Sequence, residues 1–132
     1  MTATLAPGLS YARTFIVSDA DTAKSLGSGS LRVLGTPRLL AWAESVTCAA
    51  IEDALPKGAT SVGARVSIEH RAPTIVGHEV RVGARLTTVD GRALAFDIEV
   101  IDSEDRIVAA GRIDRAVVDA DRFVRKAEQD HR

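Results

Sequence analysis

A chain of 132 residues has the length of one domain, and its formal net charge of −1 offers neither a broad basic surface for nucleic acid nor a polybasic patch for a membrane. The single cysteine, Cys48, excludes a disulfide framework and a multi-cysteine zinc site, and we expect it to lie in the core. No stretch approaches the ~20 apolar residues of a membrane span, and the N-terminus lacks the pattern of a signal peptide. We therefore expect a soluble cytoplasmic protein.

The first predicted elements are a short strand and a loop. Residues 10–17 have the composition of a strand, whereas residues 18–30 are polar and rich in Gly and Ser, which predicts a mobile connection. We expect residues 1–132 to form a single domain, with loose order at residues 1–9 and 124–132.

Residues 35–55 predict one long helix. Thr36 can cap its first free N–H groups, and Pro37 suits the first turn because its missing N–H would have no partner there. Apolar side chains cover most of the cylinder, which predicts a helix wrapped by protein, and the polar line that remains consists of Arg38, Ser45 and Glu52. Glu44 lies off that line and is the exceptional carboxylate of the helix.

Four strands are predicted after the helix. In the first, alternation places on one face Val62, Ala64, Val66, Ile68 and His70. The next two flank a turn, for which a three-residue loop ending at a left-handed Gly91 would align Leu86 with Leu94 and bury the apolar face. The last strand carries Arg115 at the same parity as its apolar residues, so a charged side chain is expected on a buried face.

The element order predicts an α+β domain in which a curved antiparallel sheet wraps around one long central helix. Such a sheet would leave long apolar strand edges open in a single chain. We therefore expect a homodimer, with a tetramer as the alternative, and a site at the interface between the start of the helix and a strand of the second copy.

Short motifs along nearly the whole chain carry a family resemblance. Glu44 follows Thr36 by eight residues in a W-A-E helix, and His70, in an H-R-A-P-T strand end, follows Thr36 by thirty-four. Two further segments support the same resemblance: V-D-G-R-A-L, which precedes Phe96, and R-A-V-V, which begins at Arg115. On these motifs the chain resembles the hot-dog fold and, more closely, the fluoroacetyl-CoA thioesterase-like family.

The resemblance implies thioester hydrolysis by a Thr, a Glu and a His, and the matching positions are Thr36, Glu44 and His70. Gly63 matches a glycine that lines the acyl pocket; the other substrate-binding candidates are Gly35 and Arg115. The implied substrate is a small or medium acyl-CoA, and no cofactor or metal is implied. The loop before Thr36 lacks the aromatic residues of the enzyme that gives the family its name, so we expect weak selectivity for fluoroacetyl-CoA.

Chemistry gives each candidate a role and an alternative. Thioester hydrolysis needs a base or an attacking carboxylate and donors for the oxyanion. Glu44 would be a stronger base than an exposed acid if desolvated by Leu40, Cys48 and Ile51; the alternative is a structural salt bridge. His70 would shuttle the proton or be a core histidine, and N–H groups beside Thr36 would bind the carbonyl oxygen. Arg115 would pair with Glu44, bind an anion or, the favoured reading, form a structural ion pair.

Two other functions compete with an acyl-CoA thioesterase. A hot-dog hydratase acting on CoA thioesters would need an Asp–His pair in a loop over the helix, whereas here the acid lies within the helix. A non-catalytic acyl-CoA-binding protein would keep the pocket but tolerate loss of Glu44. A basic C-terminal segment could contact the phosphates of coenzyme A or simply be solvated, and it consists of Arg122, Arg125 and Lys126 around Phe123.

Overall fold

The computed structural model describes residues 4–131. Its strands and α-helices, in chain order, are β1 (Ser10–Ile16), α1 (Ala23–Leu26), α2 (Thr36–Ile51), β2 (Ala59–His70), β3 (Glu79–Asp90), β4 (Ala93–Asp102), β5 (Ile107–Asp119) and α3 (Ala120–Asp130). The five strands form one antiparallel sheet in the order β1-β3-β4-β5-β2, and α2 packs against it. The predicted α+β architecture, an antiparallel sheet around one central helix, is confirmed.

Helix α2 begins as the sequence predicts, but its cap differs. Gly35, in extended conformation, holds the N-cap position, Pro37 lies in the first turn, and no side chain caps the N–H groups. The hydroxyl of Thr36 instead contacts the ring of His70. The core side of α2 consists of Leu39, Ala43, Val46, Thr47 and Ile51.

One side of α2 is open in the single chain. Ala41, Ser45 and Cys48 are exposed along it, so the expectation of a helix wrapped on all sides, with Cys48 in the core, is wrong for the single chain. Elsewhere the helix is well covered: Trp42 stacks on Phe15 of β1, with ring centroids 4.5 Å apart. The helix therefore presents a narrow strip of small side chains to the outside.

The hairpin between β3 and β4 buries the predicted face in a different register. Leu86 pairs with Phe96 rather than with Leu94, and Asp90 pairs with Ala93, which leaves a two-residue turn. The left-handed Gly91 lies in that turn, as expected, but the bulge lies farther back, between Leu86 and Thr88. This bulge restores the inward direction of Leu94 and Phe96, which a regular two-residue hairpin would have turned outward.

Strand β2 also contains a bulge. Gly63 pairs with Arg115, but the next pair joins Arg65 to Asp114, so Ala64 is the extra residue. Arg115 and Ile113 both face the core. Their partners on β2, Gly63 before the bulge and Val66 after it, therefore share that face of the sheet. The predicted alternation is therefore wrong for Val62, which lies on the opposite face from His70.

Strands β1 and β2 are the two edges of the sheet. The Gly/Ser-rich segment contains α1 and is attached to its surroundings by bridges from Thr22 to Leu34 and from Val33 to Ile75. Residues 124–130 belong to α3, and the N–H of Gly8 donates to the carbonyl of Leu86. Within residues 4–131 no helix is both long and apolar enough to span a membrane.

Candidate active site

The start of α2 and the end of β2 bring Thr36 and His70 together. Thr36 Oγ1 lies 2.8 Å from His70 Nδ1, and which atom donates depends on the imidazole tautomer. Burial lowers the pKa of His70 below its ordinary value because the charged ring is desolvated, an effect that a hydrogen bond to the Ala72 backbone opposes. His70 Nε2 is buried and has no partner among the described residues. Burial therefore favours the neutral form of the ring.

Glu44 is held by a buried arginine. Arg115 Nη1 donates to Glu44 Oε2 over 3.1 Å, while its other two nitrogens donate to Ser61, Nε to Oγ over 2.8 Å and Nη2 to the carbonyl oxygen over 3.0 Å. Arg115 is 6% exposed, whereas the Glu44 side chain is 37% exposed. The Glu44 side chain is thus only partly desolvated in the single chain, and of the roles considered for Arg115 the structure shows the pairing with Glu44.

Gly63 is a glycine because the carboxylate occupies the space of a side chain. A Cβ at position 63 would lie 2.7 Å from Glu44 Oε2. A Cβ at Gly35 would likewise lie 3.0 Å from Leu26 Cδ1, and the Gly35 N–H already donates to the Asp21 carbonyl. Gly35 thus allows α1 to pack against the start of α2, and its role in substrate binding stays a prediction.

The candidate residues form two groups rather than one. Thr36 and His70 form the first; Glu44, Gly63 and Arg115 form the second. Eight residues of α2 separate Thr36 from Glu44, about 12 Å at 1.5 Å per residue. Seven residues of β2 separate Gly63 from His70, about 23 Å in a regular strand.

Ser61 was not predicted as part of the site. It lies two residues before Gly63 on the same face, buried against Arg115. Counting every second residue from Gly63 would have included Ser61 on the inward face. The predicted alternation was instead counted from His70, which lies on the other side of the bulge. Among residues 4–131 no three His, Cys, Asp or Glu side chains are grouped as metal ligands would be.

Comparison with known proteins places the chain in a family. The model of the family described as FlK, fluoroacetyl-CoA-specific thioesterase, matches residues 17–121. The chain belongs to this family. The FlK family is one of thioester hydrolases with the hot-dog fold, so the resemblance noted in the sequence is confirmed.

Individual relatives agree in fold. The fluoroacetyl-CoA thioesterase of Streptantibioticus cattleyicolor is 35% identical over 75 residues, which are 57% of this chain and 53% of that enzyme. The chain thus matches about half the length of this curated relative. A crystal structure of a point mutant of FlK covers 97% of the chain and 98% of its own, with 25% identity and a TM-score of 0.89. A second FlK mutant, in complex with acetyl-CoA, has 26% identity, coverage of 96% and 98% and a TM-score of 0.88.

Proposed function

We propose that the protein hydrolyses a small or medium acyl-CoA to the carboxylic acid and free coenzyme A. The observation that carries this proposal is the Glu44 carboxylate, which a buried arginine fixes on one side while the other side stays open. The glycine at position 63 leaves room for this carboxylate, because a Cβ there would lie 2.7 Å from Glu44 Oε2. The solved FlK relative that holds acetyl-CoA supports the same class of substrate.

The chemistry follows from the properties of the groups. As general base, Glu44 takes a proton from water while the water oxygen bonds to the thioester carbonyl carbon. The carbon–sulfur bond then breaks, the acyl group leaves as the acid, and the thiolate takes up a proton. As nucleophile, Glu44 itself would form an anhydride that water hydrolyses, with the same products.

Thr36 is positioned to bind the carbonyl oxygen. The N–H groups of Arg38 and Leu39 already donate to the carbonyl of Gly35, and Pro37 has none, so the donors left at the start of α2 are the hydroxyl and N–H of Thr36. A helix N-terminus favours negative charge, which suits an oxyanion. The ring of His70 orients that hydroxyl through Nδ1, and we assign to this histidine the transfer of the proton to the leaving thiolate.

A homodimer would assemble the two groups into one site. β2 is an edge strand with Val66 39% exposed, and the open strip of α2 adjoins the same side of the subunit. A two-fold axis through the middle of β2 reverses the strand in the second copy. The axis therefore brings the Thr36–His70 group of one subunit next to Gly63 in β2 of the second subunit. Pairing of the two β2 strands would also cover the exposed edge of each sheet.

The test combines activity with stability. Free thiol release is measured over a series of acyl-CoAs for the native protein, for Glu44→Gln and for His70→Ala, with the melting temperature of each. Glu44→Gln keeps the shape of the side chain but not its charge, so turnover should fall by about 10²-fold or more with folding intact. A folded Glu44→Gln that hydrolyses as well as the native protein would overturn the mechanism and favour an acyl-CoA-binding protein.

A further inference from the structure

An open groove beside the C-terminal helix is distinct from the two groups described above. α3 forms one wall and the turn between β3 and β4 contributes Arg92, enclosing about 700 Å³. Four basic side chains line it, Arg92, Arg122, Arg125 and Lys126, against two acidic ones, Asp119 and Asp130. The groove therefore has a net positive charge in a chain whose overall charge is −1.

The positive charges of the groove are not neutralised locally. Within residues 4–131, none of its four basic side chains forms an ion pair; Arg125 Nε makes a long bond of 3.4 Å to the Asp121 carbonyl. Asp119 Oδ1 is already engaged, because it accepts the N–H of Arg122 as the cap of α3. Guanidinium groups without a carboxylate partner are suited to binding phosphate oxygens in pairs.

An aromatic ring lies among these charges. Phe123 lines the groove and is 48% exposed, although α3 buries none of its residues. A phenyl face flanked by arginines matches a purine ring that carries phosphate groups, because the ring stacks while the phosphates take charge-assisted hydrogen bonds. Neither a bare phosphate nor an apolar ligand would use both features.

The groove lies at the end of the subunit that holds Glu44. β5 runs four residues past Arg115, about 13 Å, before α3 begins. A second cavity, of about 410 Å³, lies between the end of α2 and the start of β2 and is lined by Ser61, Cys48 and Gly58 among others. The carbonyl of Gly58 accepts the N–H of Ala120, the first residue of α3. Val118, which lines the groove, lies on the opposite face of β5 from Arg115, so a flexible arm leading away from the carboxylate would pass around this end of the sheet to reach the groove.

We propose that the groove binds the 3′-phosphorylated adenosine diphosphate end of a coenzyme A thioester, with Phe123 against the purine and the basic side chains on the phosphates. This inference rests on the proposed function and adds the end of the substrate far from the reacting carbonyl. Binding there lowers KM and leaves kcat unchanged, because these residues do not touch the bond that breaks.

The first experiment measures binding without turnover. Adenosine 3′,5′-bisphosphate is titrated calorimetrically into the native protein, the double variant Arg122→Ala/Arg125→Ala, and a control of equal charge change, Arg81→Ala/Arg85→Ala, in which both side chains are exposed on β3. We expect binding by the native protein and the control and its loss in the groove variant. Absence of binding by the native protein at millimolar ligand, or equal weakening in both variants, overturns the inference whatever the catalytic activity.

The second experiment compares two substrates. Acetyl-CoA carries the nucleotide, whereas the acetyl thioester of N-acetylcysteamine does not. We expect Arg122→Ala/Arg125→Ala to raise KM for acetyl-CoA about 10-fold, the value of one charged hydrogen bond, with kcat/KM for the short thioester unchanged. Equal losses with both substrates, or no change with either, would contradict binding of the nucleotide in the groove. If the native protein hydrolyses neither, the proposed function fails and the titration alone decides the inference.

The third experiment isolates the aromatic ring. Phe123→Ala should raise KM for acetyl-CoA and weaken binding of adenosine 3′,5′-bisphosphate, but not of inorganic phosphate. The matched control is Val124→Ala, which removes a neighbouring side chain that is 55% exposed and does not line the groove. Identical behaviour of the two variants would show that the surface binds polyanions by charge alone and would contradict a nucleotide site.

Discussion

Gly63→Ala should separate catalysis from stability. The new Cβ would lie 2.7 Å from Glu44 Oε2, whereas ordinary contact begins near 3.4 Å. The carboxylate must retreat by the difference, about 0.7 Å, and its 3.1 Å bond from Arg115 must change with it. Since a shift of about 1 Å at a reacting group can cost about 10²-fold, we expect kcat to fall by about 10- to 10²-fold, or about 1.4 to 2.7 kcal/mol in the barrier.

Stability should not fall in parallel. The group that must yield is the end of a flexible side chain that is 37% exposed, so it can move towards solvent. Gly63 does not have a positive φ, and replacing such a glycine by alanine commonly stabilises by about 0.4 to 1 kcal/mol because the unfolded chain loses freedom. Thermal melting and thiol release are therefore measured on the same preparation.

Gly83→Ala is the matched control. It is also a strand glycine, but its new Cβ would meet only the Glu99 carbonyl at 3.7 Å and Ala12 Cβ at 4.0 Å. It should leave kcat unchanged. If Gly63→Ala were as active as Gly83→Ala, or if it lost melting temperature and activity together, the inference that position 63 acts through the carboxylate would be refuted.

Four further predictions concern the same site. The His70 ring, followed by NMR, should titrate below its ordinary 6.5, and because the unfolded state then binds the proton more tightly, stability should decline as pH falls below that value; a midpoint at or above 6.5 would contradict this. Ser61→Ala leaves Arg115 Nε without its acceptor and should cost about 1 to 3 kcal/mol in unfolding free energy, whereas exposed Ser67→Ala on the same strand should cost little. Sedimentation should show a dimer, and a stable 14.0 kDa species at micromolar concentration would exclude it. Selectivity for fluoroacetyl-CoA over acetyl-CoA should be weak because the segment 18–31 contains no aromatic residue, and a preference of several orders of magnitude would disprove that reasoning.

The fold could be predicted because it depends on long-range regularities of the sequence. The buried faces are determined by the apolar pattern of the helix that begins near Pro37 and by the alternation of the strands. An error of two residues in the register of the β3–β4 hairpin leaves those faces unchanged, because side chains alternate with a period of two. The pairing of Arg115 with Glu44 was one of the alternatives considered, because each is a charged residue on an otherwise apolar face.

The details of the site could not be predicted from the same patterns. The bulge at Ala64 shifts the alternation by one residue, and nothing in the local composition marks it, so Ser61 was missed. The exposure of the Glu44 side chain depends on which side of α2 the sheet leaves uncovered. That side is determined by the three-dimensional packing and cannot be seen in the helix pattern alone. A resemblance that names three residues does not show how far apart they lie in a single chain.

The extra residue in β2 allows one strand to contribute to both groups of the candidate site. Ala64 changes the phase of the strand, so an odd-numbered residue, Gly63, and an even-numbered one, His70, both face α2. Removing Ala64 would restore a regular strand, and one half would have to turn over: either Ser61 leaves the guanidinium of Arg115 or the imidazole leaves the hydroxyl of Thr36. Deleting Ala64 alone would thus break one of two side-chain contacts, Ser61 with Arg115 or Thr36 with His70, although all four residues remain in the chain.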